Sequence, residues 1–158
     1  MSDIVLTQYI ILTWLFSVFV YYLPKKILFI EAAFVFMVQA ILLRNHYSIL
    51  SLNLEYIQLP NKKDLFIAFI LYRSFMLPIF FILLLNVTLM SNKKIVKSAI
   101  LTTGAVLLLF LEWISHKAEL VRYNNWSMLL QTGANLLLIA AAFISFHIIR
   151  GLLKRVIV

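Results

Sequence analysis

The chain lacks cysteine altogether and has only three glycines and three prolines among its 158 residues. Without cysteine, disulfides, iron–sulfur clusters, thiolate zinc sites and cysteine nucleophiles are excluded. Three isolated glycines cannot form a phosphate-binding loop or a dinucleotide fingerprint, and the Gly-x-Ser-x-Gly elbow of serine hydrolases does not occur. The sequence therefore carries no motif for these classes of reaction.

Acidic residues are also scarce, and most of the chain is apolar. Hydrophobic residues make up 64% of the sequence and charged residues 13%, whereas soluble domains are about half apolar and about a quarter charged. The formal net charge is +8, but the Lys and Arg residues lie mostly between the apolar runs, where they act as topology signals and contact lipid headgroups. We predict one integral membrane domain over residues 1–158, surrounded by a lipid bilayer and without a nucleic-acid partner.

The apolar runs predict an all-α fold, a polytopic transmembrane helical bundle of about five spans. A membrane-spanning helix needs about 20 residues, with about 17 as a lower limit. The second run is short and contains Glu31, so four spans is the alternative. Pro78 predicts a kink in the third run. The five runs cover residues 4–23, 27–43, 65–90, 95–116 and 126–149.

The distribution of Lys and Arg predicts the orientation of a five-span chain. Cytoplasmic loops carry an excess of these residues. One side receives Lys25, Lys26, Lys93, Lys94, Lys97, Arg150, Lys154 and Arg155, and the other receives Arg44, Lys62, Lys63, Lys117 and Arg122. We expect a multi-pass protein of the cell membrane with its N-terminus outside and its C-terminus cytoplasmic. Anionic lipid headgroups are possible partners of the more basic side.

Four of the ionisable residues within the predicted spans suggest two polar pairs. Arg73 and Glu112 fall in the same outer layer on adjacent helices and could pair, although Arg73 could also extend outward along its helix. Glu31 and His147 fall at one level near the inner side and could hydrogen-bond. A proton relay is the functional interpretation of such residues. We favour structural anchoring, because two isolated groups do not form a pathway.

A third polar group follows the end of the fourth run. If that helix continues beyond the membrane, Glu112, His116, Glu119 and Tyr123 lie along one of its faces. Carboxylates and imidazoles at such spacing can bind zinc, iron or manganese, and His46 could add a ligand. A di-metal carboxylate centre needs two Glu-x-x-His elements or their equivalent, whereas this chain offers one loose cluster and only three histidines. We therefore favour a helix end at the membrane interface, and we assign no catalytic residue, metal or cofactor.

The same region carries a resemblance to a protein family. Glu112-Trp113 ends an apolar run, Leu120-x-x-Tyr123 follows, and Trp126 comes next, while Leu71-Tyr72 and Asn92-Lys93-Lys94 precede it. Over about its last two thirds, the chain resembles a family of small uncharacterised multi-span integral membrane proteins of spore-forming Gram-positive bacteria. The resemblance implies a bacterial multi-span membrane protein and supplies no catalytic residues.

Three classes of function remain open at this point. The leading hypothesis is an accessory, scaffold or envelope component acting through helix packing, as a homo-oligomer or with a membrane protein partner. Small residues at 98–105 and at Gly133 support it, because they let helices approach closely. The alternative is a small transporter or lipid-handling subunit whose interior is lined by the four intramembrane residues. A membrane-embedded metal-dependent enzyme is less favoured. It would use the outer cluster, formed by Glu112, His116, Glu119 and Tyr123.

Overall fold

The computed structural model describes residues 2–156 and is almost entirely helical there. Within that part of the chain, five helices are long and apolar enough to cross a membrane, which confirms the predicted all-α bundle of five spans. The spans are formed by α1 (Ser2–Tyr22), α2 (Phe29–Ser48), α3 (Lys63–Leu71) with α4 (Leu77–Met90), α5 (Lys94–Lys117) and α6 (Met128–Val156). Two short strands, β1 (Ile57–Gln58) and β2 (Arg122–Tyr123), lie in the loops.

The second span is longer than the sequence predicts. We expected it to end at residue 43, but α2 runs to Ser48 and continues as a π-helical turn over Ile49–Asn53. The buried residues of α2 recur in steps of four, at Glu31, Val35, Gln39, Leu43 and Tyr47. This spacing keeps them on one helical face. The polar residues after position 43 therefore belong to the end of the helix, and their inward face continues to pack.

The third span is the centre of the bundle and packs against all four of the others. Between α3 and α4 its helix widens into a π-helical turn at Tyr72–Met76, directly before Pro78. Proline removes a backbone donor, and π-turns often accompany helix bending. The kink at Pro78 stays a prediction, and the irregularity that the structure shows is this turn, in which Tyr72 and Met76 are completely buried.

Two of the small residues singled out in the sequence have different surroundings. A Cβ atom added to Gly104 on α5 would overlap the side chain of Leu84 on α4, so glycine permits a close contact between these helices. A Cβ added to Gly133 on α6 would meet no described atom within 4 Å. Gly104 therefore serves packing inside the chain, whereas Gly133 leaves an open helix surface.

At one end of the bundle, which we call the loop end, the loop after the second span meets the loop after the fourth. Strand β1 pairs antiparallel with β2, with Ile57 opposite Tyr123 and Gln58 opposite Arg122. The Asn124 N–H also donates to the Tyr56 carbonyl, at 2.9 Å. The two loops that a five-span topology places on the same side are thus in direct contact.

The opposite end, which we call the basic end, brings together the hairpin between α1 and α2 and the ends of α4 and α6. The Asn86 side chain accepts from the Lys26 N–H at 2.9 Å and donates to the Pro24 carbonyl at 3.0 Å. Arg150 donates to the Lys26 carbonyl, also at 2.9 Å. The cations of this end are the eight that the topology assigns to one side: Lys25, Lys26, Lys93, Lys94, Lys97, Arg150, Lys154 and Arg155.

Candidate functional site

A buried carboxylate, Glu112, lies at the centre of a polar network near the loop end. Its side chain is 1% exposed. Oε1 accepts a hydrogen bond from the Tyr47 hydroxyl at 2.9 Å and another from Gln131 Nε2 at 3.2 Å. Oε2 accepts from the Tyr123 hydroxyl at 3.3 Å. Donors from α2, α6 and β2 therefore converge on one carboxylate of α5.

The position of Glu112 on α5 explains why it is enclosed. The buried residues of the second half of this helix are Leu108, Leu111, Glu112 and Ser115. Steps of three and four place them on one face, so the carboxylate points into the bundle. A carboxylate there needs hydrogen-bond donors, because burial without partners is very costly. Tyrosine and glutamine supply them without a second charge.

Gln131 extends the network toward the loop end. Its Oε1 accepts from Trp126 Nε1 at 2.9 Å and lies 3.4 Å from His46 Nε2. Its Nε2 also donates to Asn135 Oδ1, at 3.3 Å. The Trp126 ring stacks on Tyr56 with a centroid separation of 6.2 Å. One buried glutamine thus connects the carboxylate to the aromatic residues of the loop end.

Two further tyrosines, Tyr9 and Tyr72, lie next to the network on the first and third spans. The Tyr9 hydroxyl bonds to Ser115 Oγ at 2.8 Å, and Ser115 donates to the Leu111 carbonyl. Tyr72 packs edge-to-face on Tyr9 and is completely buried. Its hydroxyl, which lies within electrostatic reach of Glu112, makes no hydrogen bond of standard length within the described part of the chain. The polar cluster therefore also contacts the first and third spans.

Glu119 does not join the carboxylate, because α5 ends at Lys117 instead of continuing. The Leu120 N–H donates to the Ser115 carbonyl and the Glu119 N–H to that of His116, which is the Schellman pattern of a helix end. Glu119 has φ 58°, a left-handed conformation. Its exposed carboxylate pairs with Arg122 at 2.8 Å. The continuous helical face expected from the sequence is therefore broken after Lys117.

His116 positions Tyr123 instead of acting beside Glu112. Its Nδ1 lies 3.0 Å from the Val121 carbonyl, and its ring stacks on Tyr123 at 5.0 Å and 7°. His46, in the last turn of α2, lies 3.4 Å from Gln131 and so approaches the network from the second span. Within residues 2–156, no three His, Asp or Glu side chains come close enough together to hold a metal ion. The geometry gives no support to a metal centre here.

The ionisation of Tyr123 follows from its surroundings. Burial and then the negative charge of Glu112 raise the pKa of this phenol far above its usual value, and the hydrogen bond to Glu112 acts in the same direction. The hydroxyl consequently stays protonated and remains a donor throughout the physiological range. A tyrosine in this state serves as a fixed hydrogen-bond donor.

The predicted pairing of Glu31 with His147 is wrong. Near the basic end, Glu31 is paired with Arg150 instead. Arg150 Nε and Nη2 donate to the two Glu31 oxygens at 2.7 and 3.0 Å, and the Leu28 N–H donates to Oε2 at 2.9 Å. His147 is exposed and bonds within its own helix, to the Phe143 carbonyl. Arginine offers two parallel donors to a carboxylate, which one imidazole nitrogen cannot match.

Arg73 is not paired with Glu112 either, whose oxygens accept from tyrosine and glutamine donors. Its guanidinium lies 5.0 Å from the centre of the Phe69 ring. Its Nε is buried and has no hydrogen-bond partner among the described residues. The expected pairing of Arg73 with Glu112 is thus replaced by contact with an aromatic ring.

Sequence reasoning missed several members of the network. The predicted second run ends at residue 43 and so leaves Tyr47 outside the spans, and the composition does not distinguish Gln131 and Asn135 from the apolar run around them. The spacing of four between Gln131 and Asn135 was a readable signal, because it places two amides on one helical face. Gln39, completely buried, donates to the Leu138 carbonyl at 3.1 Å and continues the polar contacts between α2 and α6.

Comparisons with known proteins find no match to this chain among protein-family models, curated proteins or solved structures. The resemblance to membrane proteins of spore-forming bacteria therefore stays a prediction based on the residues given above. The interpretation of the Glu112 network depends on its geometry alone.

Proposed function

We propose that this protein is an accessory or scaffold component of a membrane and acts through the packing of its helices. The observation that carries the proposal is the state of Glu112. Its carboxylate is buried, and both oxygens accept hydrogen bonds from the protein's own side chains. A catalytic or ligand-binding carboxylate must instead reach a substrate. This one connects helices.

The clefts of the molecule support this interpretation. Binding sites for small molecules are concave and combine apolar walls with a few converging polar groups. Of the five main clefts within the described residues, none is lined by Glu112, Tyr47 or Gln131. The Glu112 network therefore opens into none of these five clefts, as expected of a group that connects helices.

The network and the Glu31–Arg150 pair hold different parts of the bundle. Glu112 connects α5 to α2, α6 and β2 at the loop end. Glu31 connects α2 to α6 at the basic end, 119 residues apart in sequence. In lipid, packing and interhelical hydrogen bonds drive helix association, since apolar surface gains nothing by leaving the bilayer. Two polar clamps therefore set the relative position of these helices.

The outer surface of the bundle is available for lipid or for other membrane helices. Only 6% of the residues in the apolar stretch of α1 are buried, and large side chains such as Trp14 and Phe19 are mostly exposed. Between α5 and α6, Gly133 lies in an open apolar groove with Val106, Phe110, Trp113 and Leu136. A glycine at such a position permits another helix to come close.

Native mass spectrometry of the protein, released from its own membrane under mild conditions, tests the proposal. We expect repeated copies of the chain or a stoichiometric membrane protein partner. Gly133→Leu should then remove the assembly. Gly151→Leu is the matched control, because a Cβ at Gly151 also meets no described atom within 4 Å and Gly151 lies outside the groove. A wild-type protein that is monomeric and without a partner would contradict the proposal.

The transport alternative has less support in the geometry. Glu31 is bound to Arg150, Arg73 lies on Phe69, and Glu112 is enclosed by neutral donors. His147 is exposed on α6. These residues lie in separate environments, so the interior pathway that they were expected to line is not formed by them. Lipid binding has more support, because a cleft at the basic end combines apolar walls with a lysine.

A further inference from the structure

A cleft of about 280 Å³ lies at the basic end between α1, α2 and α4. Its walls are mostly apolar and come from all three helices, with Val20 on α1, Phe29 and Ala32 on α2, and Ile82 and Leu83 on α4. A lysine of the α1–α2 hairpin, Lys25, also lines it. The cleft therefore combines an apolar interior with one cation.

The position of Lys25 is fixed by its neighbours. Asn86, another lining residue, binds the backbone of Pro24 and Lys26 on either side of it. The Lys25 ammonium lies 5.3 Å from the centre of the Tyr21 ring. Both ion pairs found within residues 2–156, Arg122 with Glu119 and Arg150 with Glu31, leave Lys25 without a carboxylate. The ammonium is exposed and available to an external anion.

The charge of the whole basic end points in the same direction. Eight Lys and Arg residues belong to it. The carboxylate that reaches it among the described residues is Glu31, and Arg150 already neutralises that group. Clusters of basic residues next to membrane spans attract anionic lipids. An anion bound here would therefore reduce the repulsion among the described cations of this end.

We propose that this cleft binds one anionic phospholipid, with the phosphate at Lys25 and an acyl chain between α1 and α4. A phospholipid satisfies both features, since its headgroup carries the charge and its chain matches the walls formed by Val20, Ile82 and Leu83. The Tyr21 ring beside the ammonium fits a headgroup site, since aromatic side chains are enriched where membrane helices meet headgroups. This inference does not depend on the proposed scaffold function and goes beyond it.

The test uses the full chain in lipid nanodiscs that contain equal amounts of phosphatidylglycerol and phosphatidylcholine. Native mass spectrometry after gentle release measures how much phosphatidylglycerol each protein retains. For Lys25→Gln we expect about a fivefold loss of the one-lipid complex, the size expected for one basic residue near an anionic surface. Lys94→Gln, which removes an exposed cation of the same end outside the cleft, should change it less than twofold.

A second pair of variants separates the cleft from general charge. Ser17→Phe places a ring in the cleft from the exposed side of α1, and Ile11→Phe adds one to the same helix outside it. We expect loss of the lipid in the first only, with unchanged circular dichroism in both. Equal losses in Lys25→Gln and Lys94→Gln would overturn the proposal in favour of diffuse attraction. Displacement of the lipid by 10 mM inorganic phosphate, taken as roughly an excess over a weak site, would overturn it in favour of a free-anion site.

Discussion

The Tyr47 hydroxyl donates a 2.9 Å hydrogen bond to Glu112, 65 residues further along the chain. Tyr47 lies in the last turn of α2 and Glu112 near the end of α5, so the bond joins the second span to the fourth. Tyr47 is 1% exposed, as is Glu112. The energetic consequences of this buried contact provide the most direct predictions.

Replacing Glu112 should destabilise the protein in proportion to the donors left unpaired. Glu112→Ala leaves the Tyr47, Gln131 and Tyr123 donors without an acceptor. We expect a loss of about 3 kcal/mol in the free energy of unfolding. Glu112→Gln keeps one acceptor oxygen and should cost about 1 kcal/mol. Unfolding in mixed micelles measures both. The control is Glu119→Gln, an exposed carboxylate, for which a loss greater than that of Glu112→Gln would refute the central role of the network.

The Glu31–Arg150 pair should show strong coupling. Arg150→Gln leaves a carboxylate that is 2% exposed without its cation, and we expect a loss of about 2 kcal/mol, reduced because Arg150 is partly exposed. The double variant with Glu31→Gln should lose less than the sum of the single variants. A double-mutant cycle in the same micelles measures this. Additive effects would show that the two side chains do not interact, and Arg155→Gln is the control for charge alone.

Glycine at position 119, just after the end of α5, should stabilise the protein. Glu119 has φ 58°, and a left-handed conformation costs an ordinary residue about 1 kcal/mol compared with glycine. Its ion pair with Arg122 is exposed and contributes little. We expect Glu119→Gly to raise the free energy of unfolding by about 0.5 kcal/mol. Glu55, with φ 53° at the end of the second span, offers an independent repeat. Destabilisation at both sites would contradict the helix-end geometry.

Alkaline pH should weaken the protein through Tyr123. Its pKa is raised by burial and by Glu112, so the folded state holds the phenol proton more tightly than the unfolded state does. The associated stability is complete below the unfolded pKa of about 10 and is lost as the pH rises above it. Tyr123→Phe keeps the ring on His116 but removes this titration. The stability difference between wild type and variant should therefore shrink between about pH 9 and 11; a constant difference would contradict the shift.

The features predicted correctly from the sequence are those that local composition determines. Apolar runs separated by basic turns predict five helices, and five helices long and apolar enough to cross a membrane are found within residues 2–156. Partners of the buried polar groups depend on the rotation of each helix about its axis, which composition does not encode. Glu31 therefore meets Arg150 where His147 was expected, although the two α6 residues are only three positions apart.

Two further differences have local physical causes. The second span extends beyond residue 43 because Tyr47 and Leu50 continue its buried face, despite the polar residues between them. Helix α5, which forms the fourth span, ends before Glu119 because this non-glycine residue adopts the left-handed conformation. Sequence patterns indicate such a helix end mainly through glycine or asparagine. A glutamate at this position therefore does not predict that the helix ends there. The outer cluster consequently separates into Glu112 with Tyr123, and Glu119 with Arg122.

The measurement that tests the central claim most directly is native mass spectrometry of the protein from its own membrane, combined with metal analysis of the same sample. If Glu112 is a structural clamp in a packing component, the spectra will show copies of the chain or a protein partner, and Glu112→Gln will retain that assembly at its lower stability. A monomer carrying a stoichiometric metal or a non-lipid small molecule, lost in His116→Ala or Glu112→Gln, would contradict the claim and identify the network as a binding site.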